Sequence, residues 1–325
     1  MKRLAGLLAA AMLVTAFHAP SAQAETYPAQ KITIVVPYSA GNGLDLLARE
    51  FAQELAEPLG VPLIVENREG AAGAIGTAFM ARAPADGYSL LFTANPPFVT
   101  SPTGMAKPPY DPLTSFAPIA RVGAVPLVLI TAGNAPFKNF EQMKDFVRKH
   151  PEQANYASAG VGSPGEIFGE LLNQAADLKL EEVRYKATGQ ALTDVMSGNC
   201  LVSLVSLTAA SSQIKAGTLR VLAVGSPQRL KELPDVPTLA EALGQKDFQA
   251  SVWYGFFAPA GLAKDRLDKL QAEVTNVARS QRMAAFMQRS GMTPELLDAS
   301  AFSASLLRDV ELAKKLAASG SLKSR

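Results

Sequence analysis

Short β-branched and apolar runs alternate with stretches of helical periodicity along most of the chain. The first run, Lys31 to Val36, is followed by a glycine-rich turn and then by apolar residues three or four positions apart from Leu44 to Leu55. Residues at that spacing form one face of a helix, and Gly60 predicts its end. The pattern continues as strand, helix and strand at Pro62 to Val65, Ala74 to Ala83 and Tyr88 to Phe92. This order predicts a parallel sheet with helices on both faces.

The alternation stops at a proline-rich segment and then starts again. The segment Asn95 to Pro112 contains six prolines and is predicted to be a long surface loop. The elements predicted after it are helix Phe140 to His150, strand Asn155 to Ser158, helix Glu166 to Ala176, strand Glu181 to Tyr185, helix Gln190 to Met196, and strands Leu201 to Leu207, Leu219 to Val224 and Ser251 to Ala258. From there to the end the pattern is nearly all helical.

The two sets of elements predict an α/β fold with two lobes, each a mainly parallel sheet flanked by helices. Two crossing strands, near Pro126 to Ile130 and Ser251 to Phe257, would join the lobes and return the C-terminal helices to the first lobe. Trp253 and Tyr254 lie in the second crossing and are predicted to be core or hinge residues. We assign residues 25–127 and 252–325 to the first lobe and residues 128–251 to the second.

The first 24 residues predict export rather than structure. Lys2 and Arg3 precede an apolar run, Leu4 to Phe17, and a small-residue cleavage pattern ends at Ala24. This is typical of a secretory signal peptide cleaved after Ala24, and it predicts a periplasmic protein. The run is too short to cross a bilayer, which takes about 20 helical residues. Without Lys2 and Arg3 the chain has 29 basic and 29 acidic residues, a balance that argues against a nucleic-acid partner.

Histidine and cysteine are too scarce for several kinds of chemistry. Beyond the signal peptide the chain has one histidine, His150, and one cysteine, Cys200, so an internal disulfide and zinc sites with several such ligands are excluded. No cofactor or metal is predicted. A Ser-His-Asp triad would have to use His150, which precedes Pro151 at the end of a predicted helix, where a cation suits the helix dipole. Hydrolase chemistry is therefore disfavoured.

Two glycine-rich loops, each between a strand and a helix, carry the candidate ligand site. Small residues let the backbone approach a ligand, and the following helix directs unpaired N–H groups and its positive end toward it, which favours an anion. Asp45 and Glu166, in the first helical turns, are expected to support the helix N-termini. The candidate ligand residues are Tyr38, Ser39, Ala40, Gly41 and Asn42 in the first loop, and Ser158, Ala159, Gly160, Gly162 and Ser163 in the second.

Other glycine patterns leave alternatives open. Gly160, Gly162 and Gly165 match the dinucleotide fingerprint, but export and the lack of an acid at the end of the next strand disfavour a nucleotide. The cluster Asn67 to Gly73 is either a turn that begins a helix or a further ligand contact through Ala72. Thr93, just after the strand Tyr88 to Phe92, is also a candidate contact, because open α/β sheets bind ligands at the carboxyl ends of their strands.

Ordered motifs along the whole mature chain resemble the Bug-type extracytoplasmic solute receptors of tripartite tricarboxylate transporters. The sequence departs from the usual family pattern in the first loop, at Asn42 in place of a glycine, and in the second, at Glu166 in place of a frequent histidine. Ala187 and Gln190 likewise replace a glycine and a proline. The motifs are Tyr27 to Arg49, Val65 to Gly76, Ala85 to Phe92, Tyr110 to Ala120, Tyr156 to Ser163, Tyr185 to Gly198, Leu219 to Arg229, Leu233 to Glu241 and Val252 to Gly261.

The resemblance implies a type II periplasmic-binding-protein fold of the Venus-flytrap kind, with a small carboxylate held at the two loops through backbone N–H groups and waters. It also implies a monomer that delivers its ligand to integral-membrane transporter subunits. Two alternatives stay open: a ligand-sensing receptor for a membrane sensor kinase, and an exported serine hydrolase with Ser158 or Ser163 as nucleophile.

Overall fold

The structure is a computed structural model and describes residues 27–99, 109–160, 163–246 and 248–318. The predicted signal peptide, residues 100–108 of the proline-rich segment, and Gly162 of the second glycine loop lie outside these ranges. Within them the chain forms two β-sheets that share one strand, and helices cover the faces of both sheets.

The first sheet begins with parallel strands, but it is not mainly parallel as predicted, because its later strands pair antiparallel. Strand β1 (Ile32–Val36) pairs in parallel with β2 (Leu63–Asn67) and β3 (Ser89–Ala94), and helices α1 (Gly43–Leu59) and α2 (Ala74–Met80) connect them. Successive side chains of a strand point to opposite faces. Ile34 packs in one core with α1, whereas Val35 packs in a second core on the other face, so both faces of the sheet are buried.

Strand β4 (Phe116–Ala132) is 17 residues long and belongs to both sheets. As far as Pro126 it pairs antiparallel with β9 (Ser251–Pro259), which lies between β3 and β4 in the first sheet. From Leu127 onward it pairs with β7 (Val202–Ser206) and β8 (Leu219–Val224) of the second sheet. The change of partner falls inside the first predicted crossing.

The second sheet is completed by β5 (Asn155–Ser158), which is parallel to β6 (Glu181–Arg184) and β7. Its own cores contain β4 residues beyond Pro126 and residues of the surrounding helices. Helix α7 was not predicted, because the apolar Leu207 continues the strand-like pattern of β7. The helices around this sheet are α4 (Phe140–Lys149), α5 (Pro164–Ala176), α6 (Thr188–Met196), α7 (Leu207–Lys215) and α8 (Leu239–Leu243).

The C-terminal segment returns to the first sheet. Helices α9 (Lys264–Ala278) and α10 (Gln281–Arg289) pack in the core that contains α1, and α11 (Ala299–Ala318) packs on the opposite face. The expectation of a nearly all-helical end was wrong in one place, because β10 (Thr293–Leu297) pairs antiparallel with β4.

The proline-rich segment is not entirely a surface loop. Its beginning forms a buried helical turn, α3 (Pro96–Val99), and Tyr110 near its end is also buried. The Tyr110 hydroxyl donates to the carbonyl oxygen of Pro97 at 2.6 Å, and Phe98 stacks on Phe257 with 4.5 Å between ring centroids. Burial of these rings outweighs the preference of proline for exposed loops.

Candidate functional site

The first glycine loop joins β1 to α1 and ends in a side-chain cap. Asn42 Oδ1 accepts a hydrogen bond from the backbone N–H of Asp45 at 2.9 Å, and Asn42 Nδ2 donates to the carbonyl oxygen of Ser39 at 2.8 Å. Asparagine is among the best N-cap residues. Gly41 has a φ of +82°, which glycine adopts without strain. Ser39, Ala40 and Gly41 are exposed at the positive end of α1, and the Ser39 hydroxyl donates to the Glu69 carboxylate.

Asp45 fills the space beneath this loop with a buried carboxylate. Only 1% of the residue is exposed, and its carboxylate accepts hydrogen bonds from Gly41 N–H at 2.8 Å, Asn67 Nδ2 at 2.9 Å and Arg49 Nε at 3.0 Å. Burial opposes ionisation, but these donors and the Arg49 charge outweigh it, so the pKa of Asp45 lies below its ordinary value. The first turn of α1 therefore already holds one negative charge of the chain itself.

The second glycine loop follows β5 and leads into α5. The Ser158 hydroxyl donates to Glu182 Oε1 at 2.6 Å and accepts from the Gly160 N–H at 3.0 Å. Gly160 has a φ of +90°. Ser163 caps α5, and its hydroxyl accepts from the Glu166 N–H at 3.2 Å. Both serines are thus held by hydrogen bonds, Ser158 to β6 and to its own loop, and Ser163 to the first turn of α5.

Glu166 is buried at the start of α5 and is held by an arginine. Arg184 Nη2 lies 3.1 Å from Glu166 Oε1, and Arg184 Nε lies 2.7 Å from Glu182 Oε2. The hydrogen bond to Glu182 and the charges of both carboxylates raise the pKa of Arg184. Because Glu182 also holds Ser158, the arginine connects Glu166 to the second loop through one network.

A cavity of about 330 Å³ lies where these elements meet. It brings together Gly43 at the start of α1, Ser158 and Ala159 of the second loop, and Ser163 at the start of α5. Parts of its wall were not predicted: α7, the end of β7, the turn before β10, and Tyr254. The cavity-lining residues that these parts contribute are Ser203, Leu204, Val205, Ser206, Thr208, Ala209, Tyr254, Ser290 and Met292.

Tyr254 corrects one expectation and Trp253 meets another. Tyr254 is half-buried against the cavity, contrary to the prediction that it belongs only to the core or hinge. Burial raises the pKa of its hydroxyl to about 12. Trp253, on the opposite face of β9, is in the core, and its indole N–H donates to Asp309 Oδ2 at 2.8 Å.

Three further candidates lie close to one another near the first loop. Thr93 is fully buried at the end of β3 and shares a hydrogen bond with the half-buried Tyr38, whose hydroxyl has a pKa raised chiefly by burial. Ala72 lies in a single 3₁₀ turn, Ala71–Gly73. A Cβ placed on Gly73 would be 3.1 Å from the Tyr38 hydroxyl, so this turn packs closely on Tyr38. Whether these residues touch a ligand stays a prediction.

A larger cavity of about 740 Å³ lies on the other face of β9. It is lined by Trp253 and by Arg121, which is 3% exposed and forms an ion pair with Glu295 at 2.7 Å. Neither glycine loop contributes to it among the described residues. The smaller cavity, bordered by residues of both loop-helix junctions, is therefore the candidate site.

Other chemistries find no support in the described ranges. His150 is half-buried beside Glu152, at 3.5 Å, and the partner of Ser158 is a glutamate rather than a histidine. No group of three or more histidine, cysteine, aspartate or glutamate side chains there could hold a metal ion. None of the helices described is long and apolar enough to cross a membrane.

The fold has counterparts among proteins of known structure. The solved structure of the periplasmic binding protein BugD is 32% identical, covers 92% of this chain and 100% of its own, and superposes with a TM-score of 0.68. The R. palustris protein Rpa4515, solved with adipate, is 26% identical, with coverages of 90% and 98% and a TM-score of 0.70. The chain therefore has the α/β periplasmic-binding-protein fold.

The family follows from the sequence comparisons. The model of the tripartite tricarboxylate transporter family receptor matches residues 47–316. Protein BugT of Bordetella pertussis (strain Tohama I) is 32% identical over 283 residues, which are 87% of this chain and 86% of BugT. The chain belongs to the tripartite tricarboxylate transporter receptor family, also called the Bug family. It is a solute-binding receptor for transport and not an enzyme.

Proposed function

We propose that this receptor captures a small organic carboxylate in the 330 Å³ cavity and delivers it to integral-membrane transporter subunits. The observation that carries the proposal is the cavity itself, because residues at the N-termini of α1 and α5 border the same space. Helix N-termini attract anions through unpaired N–H groups and the helix dipole. The adipate in the R. palustris relative supports a carboxylate as the ligand class.

We further propose that residues 25–127 with 252–325, and residues 128–251, act as two lobes that close on the ligand. Support comes from the separate cores of the two sheets and from the two chain segments that join them. Closure would bring both loops onto one carboxylate, and each charge-assisted hydrogen bond is worth about 1.5–3 kcal/mol. The protein would act as a monomer in the periplasm after cleavage following Ala24.

Native mass spectrometry of protein purified without denaturation would identify a co-purified ligand, and calorimetric titration would measure its affinity. Ala40→Leu places a bulky side chain on the exposed first loop and is expected to abolish binding without changing the melting temperature. Ala272→Leu, at an exposed position on α9, is the matched control and should bind normally. Normal binding by Ala40→Leu would show that the first loop does not contact the ligand.

A further inference from the structure

The 740 Å³ cavity on the other face of β9 is built by both predicted lobes. Residues of α3, β4, β9 and α11 form part of its wall, and residues of α5 and the segment 245–249 form another part. Its volume lies in the range of small-molecule sites, about 300–1,000 Å³, and far exceeds the roughly 30 Å³ of one water molecule. Among the described residues it shares no wall with either glycine loop, so it is separate from the candidate site.

Two buried side chains of this wall each have a polar atom without a hydrogen-bond partner in the described part of the chain. These atoms are Asn95 Oδ1, an acceptor on a residue that is 9% exposed, and Arg121 Nε, a donor on a residue that is 3% exposed. Both side chains also contact Ser251, because Asn95 Nδ2 donates to its carbonyl oxygen at 3.2 Å and Arg121 Nη2 lies 3.5 Å from its Oγ. The two atoms therefore lie in the same part of the cavity. Native proteins satisfy nearly all buried polar groups, so this pair indicates a ligand group that complements both atoms.

The charges around this pair favour a neutral head group. Arg121 already forms an ion pair with Glu295, with 2.7 Å between Nη2 and Oε2, so its charge is balanced within the chain. A carboxylate could accept from Arg121 Nε, but it would present only acceptors to Asn95 Oδ1, which is itself an acceptor. A primary amide or an alcohol offers one acceptor and one donor, and it therefore suits both atoms.

The remaining wall offers apolar contacts for the body of such a ligand. Ile167 and Leu171 of α5 form a small buried cluster of their own, against which Phe168 and Phe248 pack. Leu312 of α11 also lines the cavity, and 40% of it is exposed. Apolar surface of this kind gains free energy when an alkyl chain or a ring covers it.

We infer that this cavity is a second binding site, for a small amphipathic molecule with an alkyl or aryl body and a neutral head group that both donates and accepts hydrogen bonds. The head group accepts from Arg121 Nε and donates to Asn95 Oδ1, and the body packs on the apolar residues of α5 and α11. This site goes beyond the proposed function, because the carboxylate has its place in the smaller cavity.

Hexanamide is the probe, and Trp253 is the reporter. Trp253 is the only tryptophan of the chain and lines the 740 Å³ cavity, so its fluorescence should change as hexanamide binds. We expect saturation with a dissociation constant of about 1 mM or tighter. N,N-Dimethylhexanamide, which keeps the acceptor but has no N–H donor, should bind at least tenfold more weakly, and a tenfold excess of hexanoate should not displace hexanamide. Ala40→Leu, which alters the first glycine loop, should bind hexanamide as the wild type does.

Two variants test the cavity wall itself. Arg121→Lys keeps a positive charge beside Glu295 but removes the Nε–H, and it should weaken hexanamide binding at least tenfold. Ala175→Phe places a ring in the cavity from a half-buried position on α5 and should abolish binding, whereas Ala272→Phe, at an exposed position on α9, should bind normally.

The results separate this site from the carboxylate site. No binding of hexanamide to the wild type would mean that the cavity holds water alone, and it would overturn the inference. Displacement by hexanoate, equal binding of the dimethyl amide, loss of binding in Ala40→Leu, or unchanged binding in folded Ala175→Phe would overturn it as well. A failure of carboxylates to bind this protein would contradict the proposed function but leave the second site standing.

Discussion

A single methyl group should disturb one of the contacts between the two predicted lobes. Gly291 lies in the turn between α10 and β10, beside the first sheet, and Thr208 lies on α7, beside the second. A Cβ added to Gly291 would be 2.0 Å from Thr208 Cγ2. Gly291→Ala therefore cannot keep this contact as it is, and we expect the variant to resist closure of the lobes.

The size of the effect follows from two contributions. Gly291 has a φ of +68°, where an alanine costs about 1–2 kcal/mol. Gly244 has a φ of +66° with nothing within 4 Å of an added Cβ, so Gly244→Ala carries the backbone cost alone. At Gly291, overpacking against Thr208 adds about 1–3 kcal/mol to the free energy of the closed state. The open state avoids this cost, because its lobes stay apart. We expect the melting temperatures of the two variants to match, while Gly291→Ala binds its ligand about 5–150-fold more weakly.

Calorimetric titration with the co-purified ligand measures this difference, and a second substitution tests its cause. Thr208→Ser removes Cγ2 but keeps the hydroxyl that donates to Ser206 Oγ at 3.2 Å. In the Gly291→Ala background it should restore most of the lost affinity, whereas alone it should change affinity little. The reasoning is refuted if Gly291→Ala binds as tightly as Gly244→Ala, or if Thr208→Ser restores nothing.

Three further predictions concern stability, each measured by urea unfolding. Arg184→Gln leaves the buried Glu166 without its cation and should lower the free energy of unfolding by about 1–3 kcal/mol. The loss is smaller than for a fully buried pair because Arg184 is one-third exposed. The control Arg148→Gln removes a surface ion pair of 3.8 Å and should lower it by less than about 0.5 kcal/mol. Asp45 has a lowered pKa, so its contribution is present above the unfolded value of 3.8 and is lost as the pH falls through the lower folded value; Asp45→Asn should be less stable at pH 7 and lack this acid-side loss. Trp253→Phe removes the donor to Asp309 and should lower the free energy of unfolding by about 2 kcal/mol or more. Phe79→Leu, at an exposed site, is the control. A smaller loss in Trp253→Phe than in this control would contradict a stabilising role for the hydrogen bond.

The local sequence pattern was enough to predict the helices and strands whose apolar spacing and end-marking residues lie within or next to the element itself. The spacing of apolar residues in α1 predicts the helix, the glycine-rich turn before it marks its start, and Gly60 marks its end. By contrast, α7 follows β7 with no loop between them, and the apolar Leu207 extended the strand-like alternation by one position. The N-cap serine, Ser206, was the available signal. Strand β10 is short and half-exposed, and only its pairing with β4 makes it a strand.

The candidate site likewise combines residues with a local sequence signal and residues placed by long-range pairing. Both glycine loops could be found because the backbone conformations they require restrict the residue type at Gly41 and Gly160. Met292 and Tyr254 carry no local signature, and they reach the cavity through pairings between distant parts of the chain. Gly162 lies outside the described residues, so its predicted role stays a prediction.

The position of β9 between β3 and β4 has a consequence for how the chain is made. The two strands pair at Pro126 and Ser251, so the first sheet stays incomplete until the later strand has been synthesised. At about 5–20 residues per second, the intervening stretch takes on the order of ten seconds. During that time β4 has no neighbour on that side, and the apolar surface meant for β9 is open to other chains. A nascent protein with this topology needs protection from aggregation for more than a third of its synthesis. Deleting the last third of the chain should leave an insoluble product rather than a smaller receptor.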